Sequence, residues 1–110
     1  MDIYTALMAL VDEITELGIP ATLDPRDLEA PGAIVELAEI GGDNILCGAV
    51  AARANVYLVA PNNGRPIATQ TLLKMYDKVA DLTTGAQTAD LALPDTSPLP
   101  ALKLNAIELF

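Results

Sequence analysis

A chain of 110 residues has the length of a single domain, and a hydrophobic content of 52% is too high for a globally disordered protein. The formal net charge of −9, from 15 acidic and 6 basic residues, argues against a general nucleic-acid or anionic-membrane binder, since both need clustered Lys and Arg. A single Cys excludes an internal disulfide, and the lack of His removes the commonest general base. Because neither a signal peptide nor a membrane-length apolar run is apparent, we expect the protein to be made and kept in a cytoplasm.

The N-terminal segment has the periodicity of an amphipathic helix. Its apolar residues recur at spacings of three and four, which predicts a helix over residues 3–17. Asp2 can cap the first turn with its carboxylate, and Gly18 followed by Pro20 marks the end of the helix. A short strand over residues 19–23 is predicted to follow.

A charged loop and a long hairpin come next. Residues 24–32 contain two prolines, a glycine and four charged residues, which is typical of a loop. One strand is predicted over residues 32–40 and a longer one over residues 45–60, where Arg53 is the one charged residue. The Gly-Gly-Asp-Asn sequence of residues 41–44 favours a hairpin turn between the two strands.

Alternation assigns the faces of both strands. In the longer strand, the even-numbered residues from Val50 to Leu58 share one face, while Arg53, Asn55 and Tyr57 lie on the other. In the first strand, one face is predicted to carry Ala33, Val35 and Leu37, and the other Ile34 and Glu36. Gly48 is a candidate bulge within the longer strand.

A tight turn and a second helix are predicted after the hairpin. Residues 61–66 concentrate Pro, Asn and Gly, and Pro66 can begin a helix because its missing amide would be unpaired there. Thr69 is an alternative start, and the helix is predicted to run to Leu82. Its apolar face is predicted to contain Leu72, Leu73, Tyr76, Val79, Ala80 and Leu82.

The C-terminal part of the chain is less periodic. A short strand is predicted over residues 89–93, and a Pro-rich connection over residues 94–100. The last segment, residues 101–110, alternates as a single strand would. One of its faces is predicted to carry Leu102, Leu104, Ala106 and Glu108.

The order of these elements, α-β-β-α-β, predicts the fold class. We expect one α+β domain over residues 1–110, with a mostly antiparallel sheet and two helices packed on one face. The other face then needs polar residues or a neighbour, and Arg53, Asn55 and Tyr57 can supply the polar residues. Long sheet edges are usually paired or protected, so oligomerisation through edges is a natural outcome.

One acidic cluster is a candidate metal site. Asp24, Asp27 and Glu29 lie within six residues and carry the carboxylate ligands that Ca²⁺ and Mg²⁺ prefer. Their spacing lacks the glycine-punctuated pattern of a calcium loop, and two prolines stiffen the segment. A solvated loop or a contact between subunits is therefore the favoured interpretation, and no metal or other cofactor is predicted.

Three further patterns resemble chemical sites. Residues 41–44 lack the strand-to-helix context of a phosphate loop, so a hairpin turn is favoured. Residues 63–66 precede a helix and form a candidate anion site, although a plain turn is the simpler interpretation. Cys47 has no His to act as its base and sits in an apolar segment, where it is expected to behave as a small hydrophobe. We therefore predict no enzymatic activity.

Three stretches together are similar to a family of phage proteins. They are an N-terminal helix ending in a short strand, the sequence DPRDLEAPGAIV of residues 24–35, and a strand that closes on Val59-Ala60-Pro61 before a turn and a helix. The second stretch resembles a D-x-R-x-x-x-P-P-x-V passage that leads into the family's first long strand, with Ala30 where the family often has Pro. The family comprises the tail terminator and tail-completion proteins of long-tailed (siphovirus-type) phages, especially those of actinobacterial hosts.

The resemblance implies a structural role in the virion. Such proteins form a homohexameric ring that caps the head-proximal end of the tail tube, stops its polymerisation and joins the tail to the neck. The implied partners are further copies of the chain, the tail tube protein and a head-completion protein, with genomic DNA passing through the lumen and no membrane involved. The implied location is the virion, and the host cytoplasm during assembly. An acidic lumen would repel DNA, which agrees with the net charge.

Charged and polar residues of the loops and strands are the candidate contacts. The candidates for contacts between subunits or rings are Asp24, Arg26, Asp27, Glu29, Asp43, Asn44, Arg53 and Arg65. The candidate lumen-facing acids are Glu36 and Glu39. Two other roles stay open: a head-completion, neck-connector or tail-tube protein, and a small α+β enzyme or ligand-binding domain.

Overall fold

A computed structural model of the protein describes residues 3–41, 51–61, 64–91 and 98–109. Its elements, in chain order, are α1 (Ile3–Glu16), β1 (Ala21–Thr22), a 3₁₀ turn (Pro25–Asp27), β2 (Gly32–Gly41), β3 (Ala51–Val59), α2 (Arg65–Val79), a second 3₁₀ turn (Ala80–Leu82), β4 (Ala86–Leu91), β5 (Leu99–Leu104) and β6 (Ile107–Glu108).

The strands form one sheet in the order β1-β2-β3-β5-β4, with β6 beside the far end of β3. Only the pairing of β1 with β2 is parallel among the described strands. Both helices contribute to a single apolar cluster with the same side of β2 and β3. The predicted fold class, a mostly antiparallel α+β sheet with two helices, is therefore confirmed.

Helix α1 forms where the periodicity predicts it. Its buried positions recur every three or four residues and face the sheet; they are Ala6, Leu7, Leu10, Val11 and Ile14. Gly18 takes a positive φ of 95°, which L side chains avoid, and its N–H donates to the Thr15 carbonyl at 3.0 Å. The predicted cap at Asp2 lies outside the described residues.

The hairpin β2–β3 follows the predicted alternation until a bulge in β2. Even-numbered residues of β3 from Ala52 to Leu58 are buried against the helices, as predicted. In β2, the register shifts between Leu37 and Glu39, so Leu37 and Ile40 both lie on the helix side of the sheet. The turn beyond Gly41, the candidate bulge at Gly48 and the strand residues before Ala51 lie outside the described residues.

Helix α2 buries part of the predicted stripe, since Leu72 and Val79 are buried and Tyr76 packs against the core. It begins at Arg65, with Gly64 at a φ of 99° and Pro66 in the first turn, so the alternative start at Thr69 is wrong. Leu73 was assigned to the apolar face but is 53% exposed. The buried stripe is instead Ala68, Leu72, Met75 and Val79. These residues follow helical spacing, and Leu73 lies about 100° around the helix from Leu72.

The C-terminal segment is two strands, which contradicts the single predicted strand. β5 ends at Leu104, and Asn105 donates its N–H to the Gly85 carbonyl at 2.8 Å, in register with the β4–β5 pair, while its own carbonyl accepts from the Thr83 hydroxyl at 3.1 Å. The chain then pairs with β3 as β6, where Ile107 is opposite Ala54 and Glu108 is opposite Arg53. Ile107 therefore faces the helix side, and the predicted shared face of Leu104 and Glu108 is wrong.

Two boundaries also differ near the Pro-rich connection. β4 begins at Ala86, three residues before the predicted strand. β5 begins at Leu99, so Pro100 belongs to a strand and lies opposite Asp90. A proline is tolerated in a strand where its missing N–H is not needed by the ladder.

Replacing Ile14 by Ala tests the packing of the helices on the sheet. Ile14 is fully buried in the shared cluster, so the change should lower the free energy of unfolding by about 2–5 kcal/mol. Leu73→Ala, on the outer side of α2, should change it by less than about 0.5 kcal/mol. Urea denaturation followed by circular dichroism measures both, and an equal loss in the two variants would contradict the assigned face of α2.

Candidate assembly surface

The side of the sheet that the helices leave uncovered, here termed the open face, carries most of the polar groups of the strands. The cross-strand register places Glu36 opposite Asn55, Glu39 opposite Arg53, and Tyr57 opposite Lys103. Residues directly opposite each other in antiparallel strands share a face. The polar residues of the open face are Glu36, Glu39, Arg53, Asn55, Tyr57, Gln87, Lys103 and Glu108. The same register places Ile34, Val59 and Ala101 on this side, and these three side chains are buried, so the face is polar and accessible only in part.

The polar groups of the open face contact each other across the strands. The Asn55 amide donates to the Glu36 carboxylate at 3.4 Å, and the Arg53 guanidinium lies 3.7 Å from the Glu108 carboxylate. The Lys103 ammonium lies 6.0 Å from the centre of the Tyr57 ring. Exposed pairs of this kind contribute at most about 1 kcal/mol each, so they order the surface more than they stabilise the fold.

Tyr57 is held in its neutral form on this face. Partial burial raises the pKa of its hydroxyl above the usual 10.0, and the charge of Glu36 and a hydrogen bond to it raise the pKa further. The phenol therefore remains a hydrogen-bond donor at neutral pH.

The candidate loop contacts Asp24 and Arg26 are paired with each other. The Arg26 guanidinium donates to Asp24 at 2.9 and 3.2 Å, and the Arg26 backbone N–H donates to the same carboxylate at 2.9 Å. These bonds fix the first turn of the loop, and they lower the pKa of Asp24 below its ordinary 3.8. Both side chains are accessible to solvent, so they can still be reached by a partner.

The rest of the loop is anchored at the start of β2. A Cβ at Gly32 would collide with the Glu29 carbonyl and would lie 3.0 Å from the Pro20 carbonyl and 3.3 Å from a Leu28 methyl group. Only glycine fits this close approach of backbone segments. Asp27 and Glu29 are exposed on the outer side of the loop.

The structure separates the predicted site residues into two groups. The loop carries Asp24, Arg26, Asp27 and Glu29, and the open face carries Glu36, Glu39 and Arg53. Arg65 is the first residue of α2, and nothing further is described of its side chain. Asp43 and Asn44 lie outside the described residues.

Two observations concern other kinds of site. In the described part of the chain, no group of three or more Asp, Glu, Cys or His side chains converges to hold a metal ion. Among the same residues, no helix combines the length and apolar character that a membrane crossing requires.

Sequence reasoning expected exposed edges in the hairpin but did not identify which strands form them. The outer edge of β4, Ala86–Leu91, has no partner among the described strands. The outer edge of β2 pairs with β1 at Ala33 and Ile34, and residues 35–41 have no further partner among the described strands, so they are termed the free edge of β2. Strand order determines which strands are edges, and neither hydrophobic period nor turn residues reveal that order.

A groove lies beside the β4 edge, on the helix side of the sheet. It has a volume of about 370 Å³ and separates the N-terminal half of α2 from β4 and β5. We term it the β4 groove, and the residues that line it include Ala68, Leu72, Thr88, Asp90 and Pro100. At the opposite edge of the sheet, Leu37 and Ile40 are exposed on the same side, at 41% and 58%.

No family model matches the chain, and neither the curated proteins nor the solved structures contain a match to it.

Replacing Arg26 by Gln should raise the pKa of the Asp24 carboxyl towards 3.8, because the variant loses the charge and the guanidinium bonds that favour the ionised form, while the bond from the backbone N–H of residue 26 remains. Carbon-13 NMR titration of the carboxyl group measures the change. A depressed pKa in the folded state stabilises the fold above the unfolded-state pKa and ceases to do so as the pH falls through the folded-state pKa. The stability difference between wild type and Asp24→Asn should therefore fade below a pH of 3.8.

Glu29→Gln is the matched control for Asp24→Asn, since it removes one negative charge from the same loop and leaves the pair with Arg26 intact. A pKa of Asp24 that is unchanged in Arg26→Gln would contradict the assigned cause.

Proposed function

We propose that the protein is a structural subunit of a phage tail, which assembles into a homohexameric ring at the head-proximal end of the tail tube. The ring would stop polymerisation of the tube protein and join the tail to the head-completion proteins of the neck, with DNA passing through its lumen. In this proposal the protein is not an enzyme and uses no cofactor, and it acts in the virion after assembly in the host cytoplasm.

The observation that carries the proposal is a sheet with an unpaired edge at each end among the described strands. The β4 edge is six residues long, and alternate residues direct their N–H and C=O groups outward, where no described strand pairs with them. Its sequence, AQTADL, contains neither Lys nor Pro. Monomeric proteins usually protect such edges with Lys, Pro or a covering segment. An unprotected edge at one end of a sheet and a free edge at the other suit a subunit that is completed by its neighbours.

The charge of the open face supports a position next to DNA. Glu36 and Glu39 are both exposed there, and Arg53 is paired with a carboxylate of β6. If the open face lines the lumen, phosphates meet a surface on which carboxylates outnumber cations, and DNA passes without adhering. The sequence similarity of residues 24–35 to the terminator family supports the same location.

Measurement of mass in solution and electron microscopy test the proposal together. We expect purified protein, or protein mixed with a tail tube protein of the same phage, to form rings of about six times 11.5 kDa. The rings should also halt growth of tubes from the tube protein. Long tubes formed by this chain alone would identify it as a tube protein instead. A monomer at all concentrations, with or without the tube protein, would contradict the proposal.

A further inference from the structure

We propose that neighbouring copies of this chain join edge to edge, with the free edge of β2 in one copy pairing with the outer edge of β4 in the next. Leu37 of the first copy then meets the β4 groove of the second, and Ile40 lies beside the groove. The inference rests on the proposed ring and names the two surfaces that build it.

The strand directions permit this contact without inverting a subunit. β2 is antiparallel to β3, β3 to β5, and β5 to β4, so β2 and β4 run in opposite directions. A neighbour related by rotation about an axis roughly along the strands presents its β4 antiparallel to β2. Its helices lie on the same side of the sheet, and a continuous antiparallel sheet results.

β1 determines where the incoming strand can pair. Because β1 already occupies β2 at Ala33 and Ile34, a neighbour's β4 can pair only from Val35 onwards. The free edge therefore comprises residues 35–41, and β4 comprises Ala86–Leu91. The two segments match in length to within one residue.

The contact requires a displacement along the strands. Within one copy, β4 lies beside the C-terminal end of β3, with β5 between them. Gln87 and Tyr57 both pair with Lys103 of β5, and Ala89 and Val59 both pair with Ala101. The free edge of β2 lies level with residues 51–56 at the other end of β3. The midpoints of the two edges differ by about five residues, or about 17 Å.

This displacement gives a tilt that closed sheets adopt. One copy adds four strand spacings, or about 19 Å, around the ring. A shift of about 17 Å over that width tilts the strands by about 40° from the axis, and closed β-barrels tilt by about 35–45°. The stagger that β1 imposes is therefore compatible with closure into a ring.

The register of side chains also fits. Within one copy, the bulge after Leu37 places Ile40 opposite Ala52 of β3. If Leu37 lies opposite Thr88 of the neighbouring copy, the same bulge places Ile40 opposite the neighbour's Ala86. Thr88 lies on the helix side of β4, because it is paired with Leu102 and Leu102 with Leu58. Leu37 thus meets the β4 groove, whose lining includes Thr88, Ala68 and Leu72, while Ile40 packs beside the groove next to Ala86.

Charge complementarity on the open face favours the same neighbour. The β2 edge presents Glu36 and Glu39, whereas the β4 end of the sheet presents Gln87 with Lys103 in the adjacent strand. The contact therefore places carboxylates of one copy towards a cation of the next. It is heterologous, because different surfaces meet, and repetition of a heterologous contact closes a ring or extends a filament.

Cysteine cross-linking tests the contact. In a Cys47→Ser background, Leu37→Cys combined with Thr88→Cys should give disulfide-linked multimers with oxidised glutathione. A bridge within one copy is excluded, since β2 and β4 are at least three strand spacings, about 14 Å, apart and a disulfide spans less than about 7 Å between Cα atoms. Leu37→Cys combined with Gln87→Cys is the matched control, because Gln87 faces the other side of β4.

The outcomes separate this contact from the proposed ring. Multimers with Cys at position 88, and at least tenfold fewer with Cys at position 87, support the contact. Rings that assemble in wild type while neither pair cross-links would overturn the contact and leave the proposed function standing. Wild-type protein that remains monomeric both alone and with the tube protein would overturn both.

A pair of matched isoleucines gives an independent test that needs no oxidation. Ile40→Glu places a charge in the proposed contact and should raise the dissociation constant of assembly at least tenfold. Ile67→Glu introduces the same charge at a residue of similar exposure, 53% against 58%, outside the contact and should change it less than twofold. Analytical ultracentrifugation measures both, and equal effects would overturn the contact.

Discussion

The fold depends on the packing of two helices against one side of β3. This strand lies between β2 on one flank and β5 and β6 on the other, and its residues Ala52, Ala54, Val56 and Leu58 are almost inaccessible to solvent. Two of the four are alanines, which allow the helices to approach closely. Helix α1 covers the β2 side and α2 covers the β5 side, so one apolar cluster serves the whole domain. With both helices on that side, the open face and the edges depend on solvent or on partners.

The periodic parts of the structure could be predicted from the sequence because each satisfies a local rule. In α1 the apolar residues recur at the period of a helix, and in β3 the even-numbered residues are apolar, as the period of a strand requires. Gly18 has the positive φ expected after a helix. The stripe of α2 could not be predicted in full, because Leu73 and Met75 are similar in hydrophobicity. Only the position of the sheet decides which of them is buried.

The edges and the open-face pairs could not be predicted because they depend on strand order and register. Sequence reasoning identified Arg53, Asn55 and Tyr57 as a polar set. Their partners Glu108 and Lys103 come from a segment that was expected to be one strand. The break at Asn105 sends β6 to the far end of β3, and this step creates the pair of Arg53 with Glu108. The position of Asn105 depends on its hydrogen bonds with Thr83 and Gly85, which lie about 20 residues earlier in the chain.

The net charge restricts how copies of this chain can associate. Each copy carries −9, so a ring must overcome mutual repulsion at every contact. Two of the six basic residues are already engaged within the copy, Arg26 with Asp24 and Arg53 with Glu108, which limits the ion pairs left for contacts between copies. Backbone hydrogen bonds along a strand edge and burial of Leu37 and Ile40 do not require opposite charges. In the proposed ring, an edge-to-edge contact would therefore let the subunit keep its acidic surface for the lumen, with most of the attraction between copies coming from uncharged groups.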